Sequence, residues 1–274
     1  MLDDERLRSL AGQLVAVPGV VAVLLGGSRA RGEQGPDSDV DLGLYYRPPL
    51  DPDALGALAR AVAGPQANVT DPGGWGPWVD GGGWFTIDGT AVDWLYRDVD
   101  RVRRAWVDAV EGRFRWNTQV GHPLGVPDFA YAGEVALGAV LADPTGELTA
   151  LQAETRDYPE SLGRQLVGGL GEAQFLLGIA AKVAARGDAA YVAGCLFRAF
   201  LLCAHALHGD AGRWLINEKG AITAAGRLPG APAAFAARAH GVLGAVGTTA
   251  AELRAVLAAA EELVHEVLVA CRRG

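Results

Sequence analysis

The chain has 274 residues, half of them apolar and a fifth charged, with a net charge of −8. That length holds one large domain or two ordinary ones, and the balance is that of a folded globular protein. The acidic excess, heavier in the first 120 residues, argues against a general binder of nucleic acid, whose grip on a phosphate backbone needs a basic face. It suits a cationic small molecule or a metal-bound triphosphate instead.

The start, MLDDERLRSL, is acidic where a secretory signal would be basic and then apolar. No apolar run reaches membrane-spanning length, since VAVPGVVAVLLGG is interrupted by Pro18 and QFLLGIAAKVAA carries Lys182, so the location predicted is cytoplasmic. Three cysteines provide no disulfide framework. Cys195 and Cys203 share an expected helix about 12 Å apart, too far to bridge.

In chain order, apolar residues at helical spacing predict an amphipathic helix over 3–16. VVAVLLGG (20–27) is a buried strand ending in paired glycines, and Ser28 follows as a helix cap. DVDLGLYY (39–46) is a second strand, stopped by Arg47-Pro48-Pro49. A helix enters through Asp51-Pro52 and runs over 51–63. A loop rich in Gly, Pro and Trp occupies 71–83. A hairpin then spans 84–98, turning at Asp88-Gly89, and a helix covers 98–111.

From about 128 onward Ala/Leu-rich segments at helical period take over: 130–142, 145–154, 159–187, 188–208, 231–245 and 248–272. The composition shift at GHPLGVPDF sets the expected boundary, a catalytic domain over 1–124 and a helical domain over 125–274.

The chemistry lies in GGSRARGEQGPDSDVDLGLYY, residues 26–46. Residues i and i+2 of a strand point to one side, so Asp39 and Asp41 aim two carboxylates at one face while Val40 and Leu42 turn to the core. Keeping both ionised needs a compensating cation, and hard oxygen ligands favour Mg²⁺, which completes its shell with phosphate oxygens. Upstream, Gly27 and Ser28 offer backbone N–H groups and a hydroxyl to a phosphate. A phosphate cradle followed by a two-carboxylate strand equips a protein for in-line displacement at phosphorus.

This order and spacing resembles the signature of the polymerase-β-like nucleotidyltransferase superfamily: a Gly-Ser pair, about ten residues, then Asp-x-Asp between apolar residues. Gly27, Ser28, Asp39 and Asp41 match it, and Ser38 is typical before the first Asp. The resemblance implies an α+β fold with a short mixed β-sheet flanked by helices, two Mg²⁺ ions, and a nucleoside triphosphate co-substrate. It also implies a third carboxylate on a later strand, where Asp93 of TAVDWLY fits as metal ligand and base. An ordinary glycine turn and a solvated edge strand would explain either half of the motif alone, but not the two together in this order.

A catalytic domain followed by an all-α helical bundle domain is similar to the aminoglycoside adenylyltransferases. The segment HALHGDAGRWLINEKGAITAAGRLPGAP has their layout, which implies that Lys219, one of two lysines in the chain, reaches the triphosphate. It implies transfer of AMP from ATP to a hydroxyl of a small acceptor, cationic and akin to an aminoglycoside antibiotic. Some relatives supply the base from the helical domain, and Glu134 is the competing candidate for that role.

Trp75, Trp78 and Trp84 either wall an acceptor pocket, where flat faces hold sugar rings or cations, or anchor the glycine-rich loop; core packing is favoured for Trp84. Arg198 and His205 share a helix face with the spacing of helical ribonucleases, with His208 nearby, but the apolar FLLCAHAL around them favours packing. The alternative function is a regulatory nucleotidyltransferase of the toxin–antitoxin type, acting on a protein partner. Nucleotide addition to tRNA ends is disfavoured by the acidic charge.

Overall fold

A computed structural model describes residues 2–32, 35 and 38–272. The chain divides into two compact units: Met1–Val107 with Arg115–Asp157, and Asp108–Phe114 with Tyr158–Gly274.

The first unit is α+β. Its elements are α1 (Asp4–Leu14), β1 (Val20–Leu25), α2 (Gly27–Ala30), β2 (Val40–Tyr46), α3 (Pro52–Ala63), β3 (Gly82–Ile87), β4 (Thr90–Asp98), α4 (Val99–Val110), β5 (Trp116–Gln119), β6 (His122–Pro127), α5 (Ala130–Leu137), β7 (Ala139–Ala142) and α6 (Glu147–Thr155). Local chemistry sets several ends. Asp3 caps α1 by accepting from the Arg6 amide at 2.9 Å, and Asp51 caps α3 through the Ala54 amide with Pro52 in the first turn. Asp88 and Gly89 both take positive φ in the two-residue turn between β3 and β4, the geometry that Asp-Gly favours in a hairpin.

The main sheet has five strands in the order β3-β4-β2-β1-β7, with β2 and β4 parallel and the other neighbours antiparallel. Val40, Leu42, Leu44 and Tyr46 of β2 turn to one face and pack with Leu7, Leu10 and Leu14 of α1 and Leu55 and Ala59 of α3. On the other face Tyr45 packs with Val102 of α4, Tyr131 and Val135 of α5, and Leu148 and Leu151 of α6. Alternation along the strand thus serves two cores.

The second unit is helical: α7 (Glu160–Gly168), α8 (Leu170–Ala184), α9 (Ala189–Asp210), α10 (Ala221–Ala225), α11 (Phe235–Gly244) and α12 (Ala250–Cys271). α9 is its centre, packed by α7, α8, α10, α11 and α12. Arg238 and Glu266 join α11 to α12 through two hydrogen bonds of 2.6 and 2.7 Å. Thr249 and Glu252 form a capping box at the start of α12.

Three expectations change. The boundary placed at 124/125 falls inside the first unit, because β7 pairs with β1 and α5 and α6 pack beneath the sheet. The helix expected over 130–142 stops at Leu137 and continues as β7, since the open edge of β1 outweighs alanine's helix preference. The helix expected over 159–187 divides at Gly169, within a glycine pair that weakens helical order. By length and composition alone the stretch 160–184, 28% buried over its most apolar window, and α9 are long and apolar enough to cross a membrane. Over its own window α9 is 67% buried within the structure, as a core helix is. The β5–β6 hairpin was not foreseen.

Candidate active site

The site is built on one transverse row of the sheet. Leu25 lies opposite Leu42, and the Gly26 amide donates to the Asp41 carbonyl at 2.8 Å. Asp41 is the register partner of Asp93 on β4, and Asp93 that of Trp84 on β3. Residues directly opposite on paired strands share a face, so the row reads Gly26, Asp41, Asp93, Trp84 on the face that also carries Tyr45 and Arg97. The partners Val40, Leu42, Val92 and Trp94 fill the opposite core.

Gly27 opens α2 at φ 63° beside the Asp41 carboxylate, so close that a Cβ there would lie 1.9 Å from Asp41 Oδ2. No other residue permits that approach in that conformation. Ser28 follows in α2 and is partly exposed. Asp39 precedes the strand and is exposed, near enough to Asp41 for their charges to repel. The site therefore gathers Asp41 and Asp93 on the sheet, with Gly27, Ser28 and Asp39 on the segments flanking its strands. Lys219 belongs to the second unit, exposed in the turn before α10 with its amide donating to Asn217 Oδ1 at 2.9 Å.

Burial first, then the carboxylates of Glu134 and Asp39, raise the pKa of Asp41 from its ordinary value, while Arg97 and Arg31 pull it back. Glu134, on α5, lies in the first unit and not in the helical one expected to supply it. Its Oε2 accepts from Arg97 Nε at 2.8 Å, and its Oε1 covers Gly43, 3.2 Å from where a Cβ would stand. Burial opposes the Arg97 charge, but Glu134 beside it more than restores it, so the guanidinium stays protonated. Arg97 escaped the sequence reading, although its spacing from Asp93 in TAVDWLYRD, two residues twice over, places both on one strand face.

Among the described residues, no three His, Cys, Asp or Glu side chains converge as a metal cluster of their own. Asp41 and Asp93, register partners on neighbouring strands, could still offer one or two carboxylates to a hard cation that draws its other ligands from phosphate and water. The crowding of like charge at Asp41 is what such a cation relieves. The chemistry of this pair suits a hard cation such as Mg²⁺.

The tryptophans divide differently from expectation. Trp84 is 64% exposed, not core, because it stands on the open face while its neighbour Phe85 turns inward against Trp94. Trp75 stacks on it with centroids 4.1 Å apart and planes 9° apart. Trp78 is the loop anchor, stacked on Tyr131 at 5.0 Å. Arg198 pairs with Glu172 at 2.5 Å and His205 is buried, as the packing reading expects. All three cysteines are free and buried.

Residues 5–63 match the family model described as "Nucleotidyltransferase domain". The crystal structure of a nucleotidyltransferase-like protein from Exiguobacterium sibiricum 255-15 is similar at a TM-score of 0.48 and 12% identity, over 98% of this chain and 77% of that one. No curated protein matches the chain.

Proposed function

We propose, from the match of residues 5–63 to a nucleotidyltransferase domain and the resemblance of the Gly-Ser and Asp-x-Asp motif to the polymerase-β-like superfamily, that the protein transfers AMP from ATP to a hydroxyl of a small, cationic, aminoglycoside-like acceptor. The observation that carries this reading is the row in which Gly27 lies against the Asp41 carboxylate and Asp41 stands beside Asp93.

Each residue has a part. The Gly27 and Ser28 amides and the Ser28 hydroxyl receive the triphosphate, which only an unsubstituted backbone lets this near Asp41. Asp39, Asp41 and Asp93 would hold two Mg²⁺ ions, which when bound offset the charge on the phosphate oxygens. Asp93 takes the proton of the acceptor hydroxyl. The hydroxyl oxygen bonds to the α-phosphorus as the bond to the bridging oxygen breaks, and the electron pair leaves with pyrophosphate. Glu134 is the weaker base candidate because Arg97 already holds its carboxylate. Lys219 is assigned to the triphosphate on the family resemblance.

The test is an acceptor screen with labelled nucleoside triphosphates and Mg²⁺, read as the mass shift of the acceptor. Transfer of AMP to an amino-sugar hydroxyl is expected, and transfer that persists in an Asp39→Asn/Asp41→Asn double variant sinks the mechanism.

A further inference from the structure

We infer that the exposed Trp84–Trp75 stack is the acceptor platform, and that Trp84 selects for ring-shaped acceptors that lay a flat C–H or cationic face on its indole. This rests on the nucleotidyl-transfer reading and adds to it the side from which the acceptor arrives.

Strand order carries the argument. Across the sheet face the sequence of groups is Gly26–Gly27, Asp41, Asp93, Trp84. Strand spacing puts Trp84 two strands, about 10 Å, from Asp41 and on the side away from the glycines. Displacement at phosphorus is in line, so the attacking oxygen and the leaving pyrophosphate lie on opposite sides of the reacting atom. With the triphosphate held at Gly27–Ser28, the leaving side is toward β1. The attacking hydroxyl therefore approaches over β4 and β3, where Asp93 meets its proton and Trp84 lies beneath the rest of the ring.

The platform is also held still. Gln119 of the β5–β6 hairpin donates to the Trp75 carbonyl at 3.0 Å and accepts from the Val79 amide at 3.2 Å. Thr70 Oγ1 accepts from the Gly82 amide at 3.0 Å, and Arg101 donates to the Pro77 and Trp78 carbonyls at 3.1 and 3.0 Å. Trp78, stacked on Tyr131, pins the other end of the loop. These contacts fix Trp75 behind Trp84 and leave the Trp84 ring mostly to solvent. A large exposed indole, backed by Trp75 and next to Asp93 in register, suits the face of a sugar or cyclitol ring, with a protonated amine favoured over the π-system.

Saturation-transfer NMR tests this with three ring probes: glucosamine, 2-deoxystreptamine and neutral methyl glucoside. Calorimetry with Mg²⁺ and α,β-methylene-ATP reads nucleotide binding separately. Transfer to the ring C–H protons is expected in the wild type and in Trp84→Phe, the cationic rings binding more tightly than the neutral one. Trp84→Ala should weaken the rings about tenfold while the affinity for the ATP analogue stays unchanged. Equal ring affinity in Trp84→Ala, or no ring binding in the wild type, overturns the platform and leaves nucleotidyl transfer standing. An ATP analogue weakened as much as the rings assigns Trp84 to the nucleobase and also overturns it. A wild type that binds no analogue removes the nucleotidyl-transfer reading, and the platform with it.

Discussion

Asp41 is held where its charge is hardest to keep, half-buried, against Gly27 and near two other carboxylates. Asp41→Asn should cut transfer by about two to three orders of magnitude, the scale of losing one electrostatic contact at a reacting centre. Because burial and like charge raise its pKa, the ionised form opposes folding at neutral pH. The same variant should therefore melt no lower than the wild type without metal. Asp93→Asn should abolish turnover while the ATP analogue still binds. Glu134→Gln should behave differently, because it leaves the buried Arg97 guanidinium with a neutral partner. A loss of about 3–5 kcal/mol, the range for breaking a buried ion pair, should appear in denaturant melts. A Glu134→Gln protein that melts like the wild type yet is inactive would move the base from Asp93 to Glu134.

At the scale of elements, the β1–α2 junction and α9 each depend on one tight fit. Gly27→Ala meets both a positive φ, a strain of about 1–2 kcal/mol, and the Asp41 carboxylate. A modest loss of stability with a far larger loss of triphosphate affinity is expected, checked by melting and calorimetry on the same sample. In α9, burial first and the neighbouring His208 second push the His205 pKa down to about 3. The folded pKa lies below the unfolded value near 6.5, so this contribution is whole above pH 6.5 and is lost as pH falls toward 3. Between pH 7.5 and 5.5 His205 should account for about 1 kcal/mol of lost stability. His205→Leu should shrink that loss in denaturant titrations at the two pH values.

For the molecule as a whole, the net charge of −8 predicts how partners respond to salt. Affinity for a polycationic acceptor should fall as ionic strength rises, since attraction between exposed charges is screened beyond about 8–10 Å near physiological salt. Titrations at increasing NaCl check this, with the ATP analogue as a second ligand. Tight binding of a tRNA-like acceptor at physiological salt would turn the assignment toward nucleic acid. Val110, Phe175 and Tyr191 are the large apolar side chains exposed among the described residues of the second unit. Exposed apolar side chains are ordinary on a protein surface, so they give the protein-partner alternative no particular support.

The sequence by itself determined the elements whose cause is local. Asp3 and Asp51 announce their helices, Asp88-Gly89 announces its hairpin, and strand parity separates Asp41 from Leu42. The Gly-Ser and Asp-x-Asp pattern was legible for the same reason, since its spacing follows from a turn and a strand. Tertiary structure alone decided what depends on neighbours distant in the chain. Pairing with β1 turned an alanine-rich segment into β7. The parallel register of β2 with β4 set Asp93 beside Asp41, and the edge position of β3 left Trp84 in the open rather than in the core. Packing of α5 under the sheet put Glu134 against Arg97 in the same unit as the carboxylates. Which face a side chain meets, and what meets it there, is fixed by contacts between strands and layers that sequence spacing does not encode.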